Sequence, residues 1–147
     1  MAPIIASTEV ARPAPETFAY VTDPSTMAEW QQGCVSGAMD GAQTRVGSRC
    51  TKVRRIGGRQ REVITEITEY DRPQRWPDRG ISGPIRASVE VTVKPLADGS
   101  RSRVTIELGF TGHGIGKLLV PLVVRRQAAS EMPENMRRLK QRLEIGN

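Results

Sequence analysis

The stretch APETFAYVTDPSTMAEW, Ala14 to Trp30, reads as two short helices broken in the middle. Pro15 suits the first turn of a helix, and Glu16 is favourable at its positive end. Phe18 and Val21 stand three apart and share a buried face. Pro24 stops this helix, because the residue before a proline is pushed out of the α region. Ser25 is then placed to cap a second short helix that runs through Trp30. A strand, Ile4 to Ala11, precedes the segment, and a long run of strands follows it. A broken helical segment thus stands between the first strand and those that follow.

From Gly33 to Thr111 the sequence alternates strand-like runs with turns. Gly57-Gly58 and Asp98-Gly99 read as two-residue hairpin turns; Asp71-Arg72-Pro73 and Gly83-Pro84 read as further turns. The Asp98-Gly99 hairpin fixes its own register. If Ala97 pairs with Ser100, then Val93 faces Val104, Val91 faces Ile106, Val89 faces Leu108 and Ala87 faces Phe110. One face is then wholly apolar, while the other sets Thr92 against Thr105 and Glu90 against Glu107. A slip by one residue would send the apolar set outward. Val91 and Ile106 are therefore expected to be cross-strand neighbours facing the interior.

The last thirty residues read as one helix. Leu118, Leu122, Arg125, Ala129, Met132, Met136, Leu139 and Leu143 form a stripe at alternating spacings of four and three. At ~1.5 Å per residue it spans about 30 Å or more. Pro121 is expected in its first turn and Pro133 in its interior, where a proline bends the helix or loosens a turn.

The 147 residues are expected to form one domain with a real core. No apolar run approaches a membrane span. The first residues lack a basic stretch followed by a long apolar one, so a cytoplasmic location is expected. Cys34 and Cys50 are expected as reduced thiols on strands. The net charge is +6, but 18 of the 22 basic residues are arginine and they are dispersed. With six aromatics and no recognition motif, specific nucleic-acid binding is not expected.

Motifs for chemistry are sparse. His113, in TGHGIGK, is the single histidine, so no zinc site can be assembled from histidines and cysteines. Flanking glycines make it a loop residue. GHGIGK lacks the spacing of a phosphate-binding loop, and the Gly57-Gly58 pair is a turn rather than a dinucleotide fingerprint. No cofactor and no catalytic constellation is indicated.

The order strand, two short helices, antiparallel strands and long helix resembles the polyketide cyclase/dehydrase branch of the START-like (SRPBCC) superfamily. The resemblance rests on APETFAYVTDPSTMAEW, GSRCTKVRRIGGRQREVITEITEYDRPQRW, SGPIRASVEVTVKPLADGSRSRVTIEL and MPENMRRLKQRLE, and it covers nearly the whole chain. It implies an α+β helix-grip fold, in which a curved antiparallel sheet wraps the long C-terminal helix around a cavity and the two short helices close one end of the sheet. Expected ligand-binding residues are Trp30, Arg54, Arg61, Trp76, Arg86, Val91, Ile106, His113, Arg125 and Met132. Mapped by resemblance, the cavity mouth is basic, and Arg54 would oppose Arg61 across the Gly57-Gly58 hairpin. Arg125, the charged residue of the helix stripe, has three options: pairing with Glu62, Glu66 or Glu107, snorkelling to the rim, or holding an anion. The expected function is binding or carriage of an apolar small molecule with an acidic group. A cyclase/dehydrase-type enzyme and a protein-interaction module are the alternatives, with the chain a monomer or homodimer.

Overall fold

Alternating apolar residues between 85 and 112 build the backbone of the architecture. The computed structural model describes residues 3–39, 46–56, 58–67, 75–80 and 85–145. The elements are β1 (Ile4–Val10), α1 (Ala14–Val21), a 3-10 turn (Pro24–Thr26), α2 (Met27–Trp30), β2 (Cys34–Met39), β3 (Arg49–Ile56) and β4 (Arg59–Ile67). They continue as β5 (Arg75–Gly80), β6 (Ile85–Leu96), β7 (Arg101–Gly112), α3 (Gly116–Leu119), a π turn (Val120–Val124) and α4 (Arg125–Ile145). The strands form one antiparallel sheet in the order β1-β7-β6-β5-β4-β3-β2. This is the α+β helix-grip arrangement, with α4 packed across the sheet.

The β6–β7 register is the expected one: Val93 opposes Val104, Val91 opposes Ile106, and Val89 opposes Leu108. Val91 and Ile106 are both buried. The turn differs from expectation. Pairing stops at Leu96 and Arg101, and the Gly99 amide donates to the Leu96 carbonyl at 3.0 Å. Ala97 takes a positive φ of 56°, so the reversal spreads over four residues while the register is unchanged.

α1 starts beside Pro15 and buries Phe18 and Val21 completely. Ser25 does not cap α2; Thr26 stands at that position, without a side-chain cap bond. Asp23 caps the 3-10 turn instead: its Oδ1 accepts from the Ser25 amide at 2.9 Å and from Ser25 Oγ at 2.7 Å. Tyr20 O–H donates to Glu29 Oε1 at 2.9 Å and ties α1 to α2. Burial, and then the Glu29 carboxylate, push the Tyr20 phenol well above its ordinary range. β2 runs close beneath the 3-10 turn; a Cβ on Gly37 would lie 2.5 Å from the Pro24 carbonyl oxygen.

α4 buries Met132, Met136, Leu139 and Leu143 against a core that includes Val10, Phe18, Val93 and Val104. Its C-terminal end is tied down by Arg12 Nε, which donates to the Leu143 carbonyl at 2.6 Å. Glu144 Oε2 accepts from the Ala11 amide at 2.9 Å. The helical region begins at Gly116, so Pro121 falls inside it rather than in its first turn. Pro121 has no N–H, and its ring crowds the carbonyl four residues back. The loosened turn is here, at Val120–Val124, while α4 continues through Pro133. Cys34 and Cys50 are free and buried on β2 and β3. Among the described residues no helix is long and apolar enough to cross a membrane.

Candidate functional site: a cavity between sheet and helix

Three surfaces enclose a cavity of about 110 Å³. The first is the apolar β6–β7 wall, through Ala87, Val89, Val91, Ile106, Leu108 and Phe110. These odd positions of β6 and even positions of β7 share one face because strand side chains alternate. Their in-register partners leave no polar atom on that wall. The closing segment adds Val21, Met27 and Trp30. Phe18 does not line the cavity; it belongs wholly to the core.

The second surface is β3–β4, and it is mixed. Alternation turns Lys52, Arg54 and Ile56 of β3 inward, together with Val63 and Thr65 of β4. Lys52 is only 4 % exposed. It stands opposite Val63, and Arg54 stands opposite Arg61. Arg54 Nη2 donates to Gln31 Oε1 at the end of α2.

The third surface is the helix. Val124, Gln127, Ala128, Glu131, Met132 and Asn135 all line the cavity, at spacings of three and one that describe one helical face. Gln127 Nε2 donates to Glu131 Oε1 at 3.0 Å and to the Arg55 carbonyl at 2.7 Å. Asn135 Oδ1 accepts from the Gln32 amide at 3.0 Å. A Cβ on Gly33 would come within 3.0 Å of Glu131 Oε2, so glycine there lets the carboxylate lie close to the α2–β2 turn.

Of the residues expected to bind ligand, Trp30, Arg54, Val91, Ile106 and Met132 line the cavity. Arg61, Arg86, His113 and Arg125 do not. Arg86 is an even residue of β6, and it is the odd residues that face inward. His113 is exposed in the loop after β7, where its carbonyl accepts from the Gly116 amide. Arg125 follows inward-facing Val124, and a helix turns by about 100° per residue, so its side chain is carried around the axis. Arg61 shares the inner face of β4 with Val63, beyond the lining residues; its buried Nε has no acceptor among the described residues. Trp76 sits opposite Val91 in the backbone register, and its side chain lies outside the described residues, as do Tyr70 and the Asp71-Arg72-Pro73 and Gly83-Pro84 turns. Gly57 also lies outside them, though Ile56 pairs with Arg59 as a two-residue turn requires.

Sequence reasoning missed Lys52, Thr65, Gln127, Glu131 and Asn135. Alternation from Cys50 through Lys52 to Arg54 would have found the first. The polar set Gln127, Glu131 and Asn135 repeats every four residues beside the apolar stripe, which is a weaker signal. The buried Trp30 Nε1 also has no acceptor among the described residues.

A family model for "Polyketide cyclase / dehydrase and lipid transport" matches residues 1–144. The chain belongs to this family. No curated protein matches the sequence. Among solved structures, a START superfamily protein from Mycobacterium smegmatis superposes with a TM-score of 0.77 at 15 % identity, covering 100 % of both chains. The Zhui aromatase/cyclase of a Streptomyces gives 0.75 at 12 % identity, covering 99 % of this chain and 97 % of that one. The di-domain ARO/CYC BexL gives 0.71 at 15 % identity; this chain is covered over 96 % and spans 46 % of that longer one. At these identities the likeness is one of fold. The polyketide cyclase/dehydrase family and the cavity coincide here, while His113, the one residue capable of histidine acid–base chemistry, sits outside the lining.

Proposed function

We propose that this chain is a binding or carrier protein for a small, largely apolar molecule of lipid- or polyketide-like character. The carrying observation is the cavity, apolar on the β6–β7 side and polar on the β3–β4 and α4 sides. Concave apolar sites with a few placed polar groups are the usual form of small-molecule sites. Size narrows the ligand. The cavity is about 110 Å³, whereas an apolar cavity of ~150 Å³ accepts benzene and drug-sized ligands occupy roughly 300–1,000 Å³. A single ring or a short chain suits this volume; a multi-ring polyketide requires the walls to part.

A second reading is an enzyme of the cyclase/dehydrase type. It is favoured by Lys52, Thr65 and Asn135, which are buried yet line the cavity. Buried polar groups aimed at a substrate are what acid–base work needs. A protein-interaction module would instead suit a filled interior.

Denaturing mass spectrometry of organic extracts from the purified protein tests the first reading. A co-purifying small apolar compound is expected. A ligand at 100 times its Kd should add about 2.7 kcal/mol of stability by linkage. A panel of small aromatic and short-chain compounds should therefore contain at least one that raises the melting temperature. Empty extracts together with an unresponsive panel would overturn the reading.

A further inference from the structure

We infer that Asn135 and Glu131, one turn apart on α4, form a donor–acceptor pair that holds a hydroxyl group of the ligand, an inference that rests on the binding reading above. The two residues are four apart and both line the cavity, and at that spacing Cβ atoms stand about 5–6 Å apart on one helix face. Asn135 is only 6 % exposed. Its Oδ1 accepts from the Gln32 amide at 3.0 Å. A backbone amide can only donate, so this bond fixes which branch of the side chain carries the oxygen. The Nδ2 branch has no acceptor among the described residues, and unlike Trp30 Nε1 it is not sealed in. A nearly buried residue on the cavity wall therefore keeps a donor open.

Glu131 supplies the opposite capacity. Its Oε1 accepts from Gln127 Nε2 at 3.0 Å. Its Oε2 lies beside Gly33, where a Cβ would come within 3.0 Å. Among the described residues no ion pair meets this carboxylate. A carboxylate only accepts, and its two oxygens have room for about four hydrogen bonds. Other polar groups of the lining are engaged elsewhere. Gln127 donates to Glu131 and to the Arg55 carbonyl, Arg54 donates to Gln31, and Lys52 and Thr65 each have a further interaction of their own. A hydroxyl meets both members of the pair: its O–H donates to Glu131, and its oxygen accepts from Asn135 Nδ2. A carboxylate has no proton to give and would stand against the Glu131 charge. An ether or a ketone leaves Glu131 unmet. The ligand class is an alcohol or phenol with an apolar body of about one ring, lying against Val91 and Ile106.

Calorimetric titration with benzyl alcohol, ethylbenzene and benzyl methyl ether tests this. Ethylbenzene puts a methyl group where the hydroxyl was, and the ether caps the hydroxyl so that it no longer donates. The readout is the affinity of the alcohol relative to ethylbenzene, compared between wild type and variants, which cancels what the two probes lose on leaving water. Glu131→Met should move that ratio against the alcohol by about tenfold or more, the range for hydrogen bonds to charged groups. Asn135→Leu should move it the same way by about two- to tenfold, as for a neutral hydrogen bond. Ethylbenzene itself should stay within about twofold in both. A ratio unchanged in both variants overturns the pair and leaves the cavity reading in place. If none of the three probes binds wild-type protein, the cavity reading falls and the pair with it. In wild type the ether should bind about tenfold weaker than the alcohol. An ether as tight as the alcohol overturns the pair, and this comparison holds even where a variant fails to fold.

Discussion

The hairpins β6–β7 and β3–β4 face each other across the same cavity, yet they are built on different terms. β6–β7 presents Val89, Val91, Val93, Val104, Ile106 and Leu108 on its inner face, each opposed by another aliphatic side chain. β3–β4 presents Cys50, Lys52, Arg54, Val63 and Thr65, so apolar and cationic groups share one face. The first wall is explained by packing alone: each pair removes apolar surface from water and fixes the register. The second is not, because it sets the Arg54 and Arg61 guanidinium groups directly opposite each other, and like charges so placed repel. Both hairpins border the cavity, and one of the two is polar there.

This contrast is open to attack at several points. The largest effect should come from the packing wall. Ile106→Ala should cost about 2–5 kcal/mol, the range for truncating a buried large aliphatic residue, read from the urea midpoint at unchanged slope. A loss near zero would mean that β6–β7 is not held by packing. Gly37→Ala tests the outer border of the polar side. The new methyl would meet the Pro24 carbonyl oxygen at 2.5 Å, and overpacking of this kind costs about 1–3 kcal/mol. A stable Gly37→Ala protein would show that β2 and the 3-10 turn can separate freely.

The polar wall should respond in the opposite sense. Arg61→Met removes one of two directly opposed guanidinium groups and keeps an apolar stem, so stability should hold or rise by about 0.2–1 kcal/mol, the size of a cross-strand pair effect. A clear loss would place Arg61 with the structural residues and erase the contrast.

The smallest effect concerns acid. An Arg137 hydrogen bond holds the Glu134 carboxyl at about 2, against an ordinary 4.5. Lys140, then the Ala11 amide, holds that of Glu144 below its ordinary value. Both folded values lie under the unfolded ones, so their contribution is complete above about pH 4.5 and is lost as the pH falls toward 2. Melting temperatures should show a shallow decline over that window, and Glu134→Gln should flatten part of it. Because these pairs stand on the outer part of α4, Arg61→Met should leave the decline untouched.

Legibility followed the same division. The register of β6–β7 could be read in full, because one of two alternations was apolar from Ala87 to Phe110 and nothing competed with it. The buried pair Phe18 and Val21 was legible for the same reason. The cavity-facing side of α4 was not. The apolar stripe pointed to Arg125 and Ala129, whereas the cavity is met by Gln127, Glu131 and Asn135. Polar residues that face a cavity look like solvent-facing residues until the opposing wall is known. Lys52 was hidden by an assumption: basic residues near a hairpin tip were assigned to its rim, although β3 carries Lys52 four residues inside the tip.

The π turn at Val120–Val124 has a consequence for how this molecule can change over generations. A turn closed by i→i+5 bonds holds one residue more than an α turn of the same height. Loss of a single codon there would heal the helix instead of breaking it. With α4 anchored by Met132, Met136 and Leu139, the healed helix would keep its phase, and α3 would stay in its present direction. A deletion that would turn a regular α-helix by about 100° can thus be absorbed at this one place while the walls of the cavity stay in register.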